Sequence, residues 1–500
     1  MKTLFITVFI MLQYLVFPQE TFFQVYQTPK HERAFECIQT QNGKYILVGD
    51  RATDYNYDTI TGISLLVDEF GNIENELLYN DPVYNTRFTI VTSLPNDDQF
   101  LIIGSKDSVV GVDSYSKIIE YIVDSSLTLI QSNSFFELKN HLTYPWKCEI
   151  VDDTILYLLI EDHPLPDSMF SQQLGVAKIR LLDDSLSSYF NQGTGSSSPH
   201  YAQDIIFSKS SSIVKVFFMG SDIDESNLLK ILYLDTNLNY ITSFPAPGNN
   251  ISSTPCATHF NDSIYILTAT SSPTLSIPIQ HIISYKMSSF TDTILSFTEY
   301  VNSFDTILYA GAGTNTAICG NSIFITGIYN IKPFQFPWQT SPIWIQITKM
   351  DIDLNILSHH FYGGDAQYMP YCITATSDGG AFITGFTWNY TIPGNEQWDI
   401  FALKVDTAGL VTNIPDDATW QMNDAILCPN PGSEYCIAFV GAQHPEATLL
   451  LHDMNGRQIM AHKLHQPQTR INTVSLPTGP YIYKFIAQGN VIGTGKWIKQ

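Results

Sequence analysis

The stretch TATSDGGAFITG, residues 374–385, predicts a β-hairpin. Two apolar, threonine-rich runs flank Asp378-Gly379-Gly380, and glycine adopts the positive φ of a tight hairpin turn without steric cost. One hairpin says little about a fold, whereas a hairpin repeated at a fixed period defines an architecture. Whether this hairpin recurs along the chain therefore decides the fold class.

The hairpin belongs to a unit that recurs seven times. Its second strand recurs as KYILVGD, FLIIGS, ILYLLIE, VKVFFMG, IYILTAT, IFITG and AFITG. Its third strand ends at a turn marked by aspartate, or by serine in the fifth copy. These markers lie 52 to 63 residues apart, at Asp68, Asp124, Asp183, Asp235, Ser288, Asp351 and Asp406. Short runs rich in β-branched and aromatic residues are typical of strands, so each unit is predicted to hold four.

Seven four-stranded units of this length predict an all-β fold, a seven-bladed β-propeller over residues 20–415. An open β-solenoid is the alternative, but its repeats are usually much shorter. The segment FFQVYQ, residues 22–27, precedes the first unit and occupies the place of a fourth strand. We expect it to pair with FALKVD, residues 401–406, and so to join the two ends of the ring.

The net charge disfavours some partners, and the N-terminal sequence predicts export. The 500 residues include 25 basic and 48 acidic ones, a net charge of −23, which disfavours nucleic acid and anionic membranes as partners. Residues 1–18, MKTLFITVFIMLQYLVFP, hold one lysine followed by an apolar stretch, as secretory signal peptides do. We expect residues 1–19 to be removed, leaving a mature chain with no transmembrane segment.

The composition changes near the C-terminus. Residues 416–425 have little periodicity and are predicted to form a linker. Residues 426–500 contain a new series of short strands with turn sequences between them, which predicts a small Ig-like β-sandwich. Cys428 and Cys436 flank one short turn and are candidates for a disulfide in an oxidising compartment.

The repeat resembles one that is common in secreted Bacteroidetes proteins, roughly T-x-D-G-G-[YF]-I-x-x-G followed by a strand and K-x-D-x-x-G-N. The similarity is closest in the seventh copy, in TSDGGAFITG (376–385) and LKVDTAGL (403–410). It covers roughly residues 20–415. The resemblance implies a propeller fold and export, and it implies no defined activity.

The C-terminal stretch resembles the type A sorting domain of the type IX secretion system. The residues that match its motifs, in order, are Pro429, Asn430, Pro431, Asp453, Asn455, Gly456, Arg457, Leu476, Gly479, Tyr481 and Lys496. The sequence departs from the family pattern at Cys428 and Pro480. The resemblance implies the secretion machinery and a surface sortase as partners, with the protein released or attached to the outer cell surface.

The sequence predicts no catalytic residues, no metal site and no cofactor. It contains no G-x-S-x-G, no H-E-x-x-H, no P-loop and no Cys/His group with zinc spacing. Cys37, Cys148, Cys256 and Cys372 fall at similar places in the repeat. We interpret these four as small buried core residues.

Aromatic residues concentrate in the loops that join the second and third strands of units six, seven and one. These units are neighbours if the ring closes, and aromatic faces suit sugar rings or a protein partner. The candidate ligand-binding residues are Tyr55, Tyr57, Phe334, Phe336, Trp338, Trp388 and Tyr390. Trp398 borders a strand, so it is a candidate either for this face or for the core.

Three functions remain open at this point. The leading hypothesis is a non-catalytic binding module for a glycan or protein ligand. One alternative is a polysaccharide lyase or glycosidase that uses the propeller channel. The other is a structural component of the cell surface. A buried cluster of two or more carboxylates with His, Tyr or Arg at the channel mouth would favour the enzyme, and a channel lined by small and apolar residues would favour binding or scaffolding.

Overall fold

The structure is a computed structural model, and it describes most of the chain after the predicted signal peptide. The described residues are 19–53, 59–81, 83–95, 98–110, 113–139, 141–164, 173–181, 185–192, 200–222, 225–247, 251–271, 280–300, 308–331, 341–392, 397–411, 425–428, 435–440, 447–453, 456–465, 468–487 and 490–499. All regular elements in these ranges are β-strands. No helix in them is long and apolar enough to cross a membrane.

Within the described residues up to 411, seven antiparallel sheets of four or five strands follow one another along the chain. Their strands are β1 (Phe22–Tyr26), β2 (His31–Gln39), β3 (Tyr45–Ala52), β4 (Ile60–Val67), β5 (Ile73–Tyr79), β6 (Asn85–Ser93), β7 (Gln99–Val110), β8 (Asp113–Asp124), β9 (Leu129–Lys139), β10 (His141–Val151), β11 (Ile155–Pro164), β12 (Gln173–Arg180), β13 (Ser185–Gln192), β14 (His200–Ser208), β15 (Ile213–Asp222), β16 (Glu225–Leu234), β17 (Tyr240–Pro245), β18 (Ile251–Asn261), β19 (Ile264–Ser271), β20 (His281–Ser288), β21 (Ile294–Tyr300), β22 (Leu308–Ala310), β23 (Thr316–Cys319), β24 (Ser322–Tyr329), β25 (Trp344–Asp351), β26 (Ile356–Gly363), β27 (Gln367–Ala375), β28 (Ala381–Trp388) and β29 (Trp398–Val405).

We number the sheets in chain order. Sheets 1 to 5 are β2–β5, β6–β9, β10–β13, β14–β17 and β18–β21, and sheet 6 is β22–β26. Sheet 7 has the order β1-β29-β28-β27, so its fourth strand comes from the N-terminus. Each sheet packs against the next, and β2 also packs against β27, β28 and β29. The contacts therefore form a closed series, and the arrangement is propeller-like.

The predicted pairing of the N-terminal segment is confirmed. Strand β1 runs antiparallel to β29, with Phe22 opposite Lys404 and Tyr26 opposite Ile400. Phe22 and Phe23 are both buried, Phe22 between sheets 1 and 7 and Phe23 between sheets 6 and 7. Burial of two phenylalanines adds a hydrophobic contribution to the hydrogen bonds that hold the chain ends together.

The opening hairpin is also present, formed by β27 and β28. Gly379 has φ +88° and donates its N–H to the Thr376 carbonyl at 2.9 Å. A Cβ atom at Gly380 would lie 2.1 Å from the carbonyl oxygen of Val405. The first glycine is thus required by backbone conformation and the second by the close approach of β29.

The marker aspartates shape the turn between the third and fourth strands. In five units the carboxylate accepts the N–H groups two and four residues later, at 2.7 to 2.9 Å. The residue three positions after the aspartate has positive φ, and these residues are Gly71, Leu127, Leu238, Leu354 and Gly409. The three leucines are buried. Asp183 lies outside the described residues.

The C-terminal part forms two further sheets. Their strands are β30 (Ala425–Cys428), β31 (Tyr435–Val440), β32 (Thr448–His452), β33 (Gln458–Lys463), β34 (Gln468–Asn472), β35 (Gly479–Ala487) and β36 (Asn490–Lys499). One sheet has the order β30-β31-β34 and the other β33-β32-β35-β36. Both contribute to one core, in which Leu427 and Ala438 meet Leu449, Phe485 and Trp497.

Candidate functional site

Residues of β2, β6, β10, β14 and β18, together with Thr314, line a cavity of about 340 Å³. Strands β2, β6, β10, β14, β18, β23 and β27 contact one another in that order, and β27 contacts β2. The polar and thiol side chains that line the cavity are Glu36, Thr92, Lys147, Cys148, Glu149, Asp204, Cys256, Thr258, His259 and Thr314. Six different segments of the chain thus supply the polar and thiol side chains of the cavity.

Bulges in the first strands place charged residues at the cavity. The register of β2 shifts between Ala34 and Glu36, and corresponding shifts precede Lys147 in β10 and Asp204 in β14. A bulge inserts one extra residue and re-aims the side chains beside it. Because Glu36, Lys147 and Asp204 each follow such a bulge directly, the three side chains converge from sheets 1, 3 and 4.

Glu36 accepts three hydrogen bonds across the cavity. Its Oε2 atom lies 2.6 Å from Lys147 Nζ and accepts the Thr314 hydroxyl at 3.0 Å. Its Oε1 atom accepts the Cys372 thiol at 2.6 Å, and Lys147 also donates to Thr314. The side chains of Lys147 and Glu36 are 13% and 11% exposed. The ion pair therefore links sheets 1 and 3 in a largely buried position.

Asp204 is the second buried carboxylate of the cavity. Its two oxygens accept the N–H groups of Ile205 and Ala257 at 2.8 and 2.7 Å. Burial raises the pKa of Asp204 to about 6, against the opposing effects of Lys147 and these two amides. Burial alone would lower the pKa of Lys147, but Glu36 and Asp204 outweigh it and raise the pKa above its ordinary value. Asp204 thus titrates closer to neutral pH than an ordinary aspartate.

The four repeat cysteines are poor nucleophiles in this environment. Cys37, Cys256 and Cys372 are buried, as predicted, while Cys148 is partly exposed. Burial raises the pKa of Cys148 and of Cys256 to about 12, and it raises the pKa of Cys37 and Cys372 as well. The thiolate is the reactive form, so all four are thiols at neutral pH. In the described part of the chain, no three His, Cys, Asp or Glu side chains converge as metal ligands would.

A second polar group lies where sheets 1 and 2 meet. Arg33 donates to both oxygens of Asp50, at 2.9 and 2.6 Å, and Arg87 donates to Asp50 Oδ2 at 2.8 Å. Burial would raise the pKa of Asp50, but the two guanidinium groups outweigh it and lower the pKa. Arg33 and Arg87 are the third residues of β2 and β6. This equivalence in the repeat is the sequence signal that could have identified the pair.

Aromatic rings surround these two arginines. Arg33 lies 5.0 Å from the ring centre of Phe35 and 5.6 Å from that of Trp398, and Arg87 lies 5.5 Å from that of Tyr144. The Phe35 ring meets Tyr371 edge-on at 5.3 Å. We call this set the arginine–aromatic cluster, and it consists of Arg33, Arg87, Phe35, Tyr144, Tyr371 and Trp398. It joins sheets 1, 2, 3 and 7.

Two of the seven predicted ligand-binding residues are described. Trp388 ends β28 and is the register partner of Trp398, and the Tyr390 N–H donates to the Trp388 carbonyl at 3.2 Å. Trp388 and Tyr390 are both partly exposed. Trp398 stacks on Phe386 at 4.7 Å beside a buried apolar group, so it packs with the core and also contacts Arg33. Five predicted residues lie outside the described ones: Tyr55, Tyr57, Phe334, Phe336 and Trp338.

The described sorting-motif residues form local structure in the C-terminal sheets. Asp453 accepts the backbone N–H of Arg457 at 2.9 Å and its Nε at 3.2 Å, and Gly456 has φ +80° in that turn. Tyr481 is buried and donates its hydroxyl to the Pro477 carbonyl at 2.7 Å. Leu476 packs beside the core of the two sheets, and Gly479 begins β35.

Other parts of the motif are not described. Pro429, Asn430, Pro431 and Asn455 lie outside the described residues, as does the side chain of Lys496. Cys436 is buried in the C-terminal core, while the side chain of Cys428 is not described. The disulfide between these two cysteines therefore stays a prediction.

Comparisons with solved structures find a similarity of fold. The β-propeller domain of the Trilobed protease from Pyrococcus furiosus is 9% identical, with a TM-score of 0.43 over 78% of this chain and 100% of that one. The WD40 domain of SCAP from fission yeast is 8% identical, with a TM-score of 0.37 over 96% and 98%. The NanB sialidase from Streptococcus pneumoniae is 10% identical, with a TM-score of 0.38 over 78% and 69%. No protein-family profile and no curated protein matches the sequence.

Proposed function

We propose that sheets 1 to 7 are the blades of one closed seven-bladed β-propeller over residues 20–415. The closed series of contacts and the pairing of β1 with β29 support this assignment. We further propose that residues 426–500 form an Ig-like β-sandwich after a linker at 416–425. Its support is the single core shared by the two C-terminal sheets.

We propose that this propeller is an exported or cell-surface binding protein without catalytic activity, and that its ligand is a glycan or a protein. The observation on which this proposal depends is the arginine–aromatic cluster. It lies beside Trp388, in the part of the molecule where the sequence places an aromatic binding face. Arginine, tryptophan and tyrosine are enriched at the centres of protein interfaces, and tryptophan and tyrosine rings also stack on sugar rings.

The residues that line the cavity are better suited to stabilising the fold than to catalysing a reaction. Glu36 and Lys147 neutralise each other, Asp204 is satisfied by two backbone amides, and the thiols are protonated at neutral pH. A general acid or nucleophile would need a free path to a substrate and a pKa suited to its task. The polar groups of the cavity instead link sheets to one another across the centre, as Glu36 and Lys147 link sheets 1 and 3.

A glycan and protein array tests this function. The mature chain is applied to immobilised polysaccharides, oligosaccharides and extracellular proteins, and any bound polysaccharide is recovered for product analysis. Saturable binding without new products supports the proposal. Accumulation of shortened or unsaturated products on any arrayed polysaccharide would contradict it and establish an enzyme.

One observation favours the enzyme as a second candidate. Asp204, with a pKa of about 6, shares the cavity with Glu36, and glycoside cleavage uses a pair of carboxyl groups. If the array reveals products, Asp204→Asn and Glu36→Gln should each remove the activity. Activity that survives both changes would place the chemistry outside the cavity.

We also propose that the C-terminal residues direct export through a type IX secretion pathway. The motif residues that resemble the sorting domain support this proposal, together with the predicted signal peptide. Deletion of residues 426–500 should leave the protein in the periplasm, while deletion of residues 1–19 should retain it in the cytoplasm. Normal secretion of the first truncation would contradict the sorting role.

A further inference from the structure

Two thiols meet where the series of sheets closes. Cys37 lies in β2 of sheet 1 and Cys372 in β27 of sheet 7, and their Sγ atoms are 3.1 Å apart. Cys37 is 4% exposed and Cys372 is fully buried. The two residues are 335 positions apart in the sequence. This contact therefore joins the beginning of the repeat series to its end.

The surrounding packing holds the two sulfurs in place. The bulges of β2 and β27 lie directly before this region, between Ala34 and Glu36 and between Pro370 and Cys372. Beside the thiols, the ring of Tyr45 from sheet 1 stacks on that of Phe382 from sheet 7, with centres 4.1 Å apart. Phe22 contacts both rings. Both cysteines belong to this apolar cluster, and the Cys372 thiol also donates to Glu36 Oε1 at 2.6 Å, a hydrogen bond that disulfide formation would replace.

We propose that Cys37 and Cys372 are the site of a disulfide bond that covalently joins sheet 1 to sheet 7. A disulfide has an S–S distance of about 2.05 Å, so the sulfurs must approach by roughly 1 Å from their present contact. The contact between the two sulfurs involves neither a bound ligand nor the proposed export route. The disulfide adds a covalent closure to the hydrogen-bonded one between β1 and β29.

The oxidant is a small-molecule or protein disulfide, such as oxidised glutathione or a thiol–disulfide oxidoreductase. One cysteine attacks it, which forms a mixed disulfide and releases one thiol of the oxidant. The second cysteine then attacks the sulfur of the first, the Cys37–Cys372 bond forms, and the other oxidant thiol leaves. Two protein thiols lose two electrons and two protons, and the oxidant disulfide is reduced to two thiols.

The reaction belongs to the folding of the chain. Burial disfavours the thiolate at both positions, so attack is slow once sheets 1 and 7 have closed over the sulfurs. Before closure the thiols are accessible to the oxidant. After closure the interface protects the disulfide from reductants in the same way. The bond is thus expected to form while the last sheet docks on the first.

Mass spectrometry of the unchanged chain tests the proposal directly. The full chain is refolded from denaturant with reduced and oxidised glutathione, its free thiols are alkylated under denaturing conditions, and the protein is digested without reductant. We expect a linked peptide pair containing Cys37 and Cys372, with Cys148 and Cys256 alkylated. Recovery of both Cys37 and Cys372 as alkylated peptides, or of either linked to another cysteine, would overturn the proposal.

Melting temperatures provide a second measurement. The oxidised chain should melt on the order of 5 °C above the reduced chain, because a cross-link between distant residues restricts the unfolded state. Cys37→Ser and Cys372→Ser should each remove this difference, and Cys148→Ser should retain it. Cys428 and Cys436 are unchanged in every variant, so any contribution from them cancels. An equal difference in melting temperature between the oxidised and reduced forms of all three variants would contradict the assignment. If Cys372→Ser fails to fold, the peptide analysis of the unchanged chain still decides.

Discussion

Lys147 and Glu36 lie on sheets 3 and 1, yet their Nζ and Oε2 atoms are 2.6 Å apart in the central cavity. The pair bridges sheets that are separated by sheet 2 in the chain. Thr314 and Cys372 extend the same network to the segment before β23 and to sheet 7. The interactions at the centre thus tie together four parts of the molecule that are far apart in sequence.

Loss of one partner of this pair should be strongly destabilising. Lys147→Met leaves the Glu36 carboxylate in a largely buried position without its cation, and such a loss typically costs about 3 kcal/mol of unfolding free energy. Chemical denaturation of the mature chain measures this change. Lys44→Met is the control, because Lys44 pairs with Glu74 near the surface and should contribute less than about 1 kcal/mol. Equal effects of the two changes would contradict a special role for the cavity pair.

Asp204 should give the stability a distinctive dependence on pH. Its folded pKa of about 6 lies above the ordinary value near 3.9, so the folded state holds more protons than the unfolded state between about pH 4 and 6. This group therefore makes stability fall as pH rises through that window, by an amount on the order of 3 kcal/mol. Asp204→Asn should reduce the change of stability with pH between about pH 4 and 6. Thermal denaturation at several pH values measures this change.

The matched control for this experiment is Asp98→Asn, a change on an exposed turn. It should leave the slope between pH 4 and 6 as it is in the unchanged protein. The marker aspartates act in a different window, because hydrogen bonds lower the pKa of Asp68, Asp235 and Asp351. Their contribution is lost only as pH falls below about 4. An Asp204→Asn slope equal to that of the unchanged protein would show that this carboxylate is not the group responsible.

The sequence was informative wherever a local pattern determines the structure. The glycines of the opening hairpin, the marker aspartates and the displaced strand β1 all follow from short motifs and their repetition. Each of the five described marker aspartates satisfies backbone N–H groups within four residues, so its effect is contained in the local sequence. The pairing of β1 with β29 could be predicted because residues 22–27 precede the first unit in the same way as residues 356–365, a fourth strand, precede the seventh.

The cavity could not be predicted in the same way. Glu36, Lys147 and Asp204 come from separate units, and the bulges that re-aim them depend on strand register, which the sequence pattern does not reveal. The arginine pair around Asp50 was missed for a related reason, since Arg33 and Arg87 meet only after sheets 1 and 2 stack. Their shared position in β2 and β6 was visible, but nothing local indicated a common partner.

The marker aspartates should contribute to stability through their turns. Asp406 accepts the N–H groups of Ala408 and Leu410, both at 2.8 Å. Asp406→Ala removes these acceptors and should reduce the unfolding free energy by about 1 kcal/mol. Glu69→Ala, in the corresponding turn of sheet 1, is the control and should change it by less than about 0.5 kcal/mol. An unaltered midpoint of denaturation for Asp406→Ala would mean that the turn does not depend on its carboxylate.

The closure by β1 should depend on Phe23. Its ring is buried against Tyr362, Tyr368 and Phe401, with centre distances of 6.5, 5.4 and 6.1 Å. Phe23→Ala leaves a cavity between sheets 6 and 7 and should cost about 3–5 kcal/mol. Gln24→Ala, on the next position of the same strand, should have little effect on the melting temperature. A small effect of Phe23→Ala would indicate that β1 adds little to the stability of the ring.

The ligand-binding face should depend on aromatic side chains of units six and seven. Phe336 and Trp338 lie outside the described residues, and Trp388 is partly exposed at the end of β28. If a ligand identified on the array binds here, the triple change Phe336→Ala, Trp338→Ala and Trp388→Ala removes its stacking partners. Each exposed aromatic anchor contributes about 1–3 kcal/mol, so affinity should fall at least about 100-fold. Calorimetric titration measures the affinity, and circular dichroism checks the fold.

The control for the binding experiment is the double change Tyr240→Ala and Phe244→Ala. Both side chains are more than half exposed on β17, the outer strand of sheet 4. Their loss removes aromatic surface far from units six, seven and one along the series of sheets, and affinity should be unchanged. If the triple variant unfolds, its three aromatic residues belong to the core and the binding face is wrongly assigned. If it folds and binds as the unchanged protein does, the ligand site lies elsewhere, and the cavity around Glu36 and Asp204 becomes the next place to test.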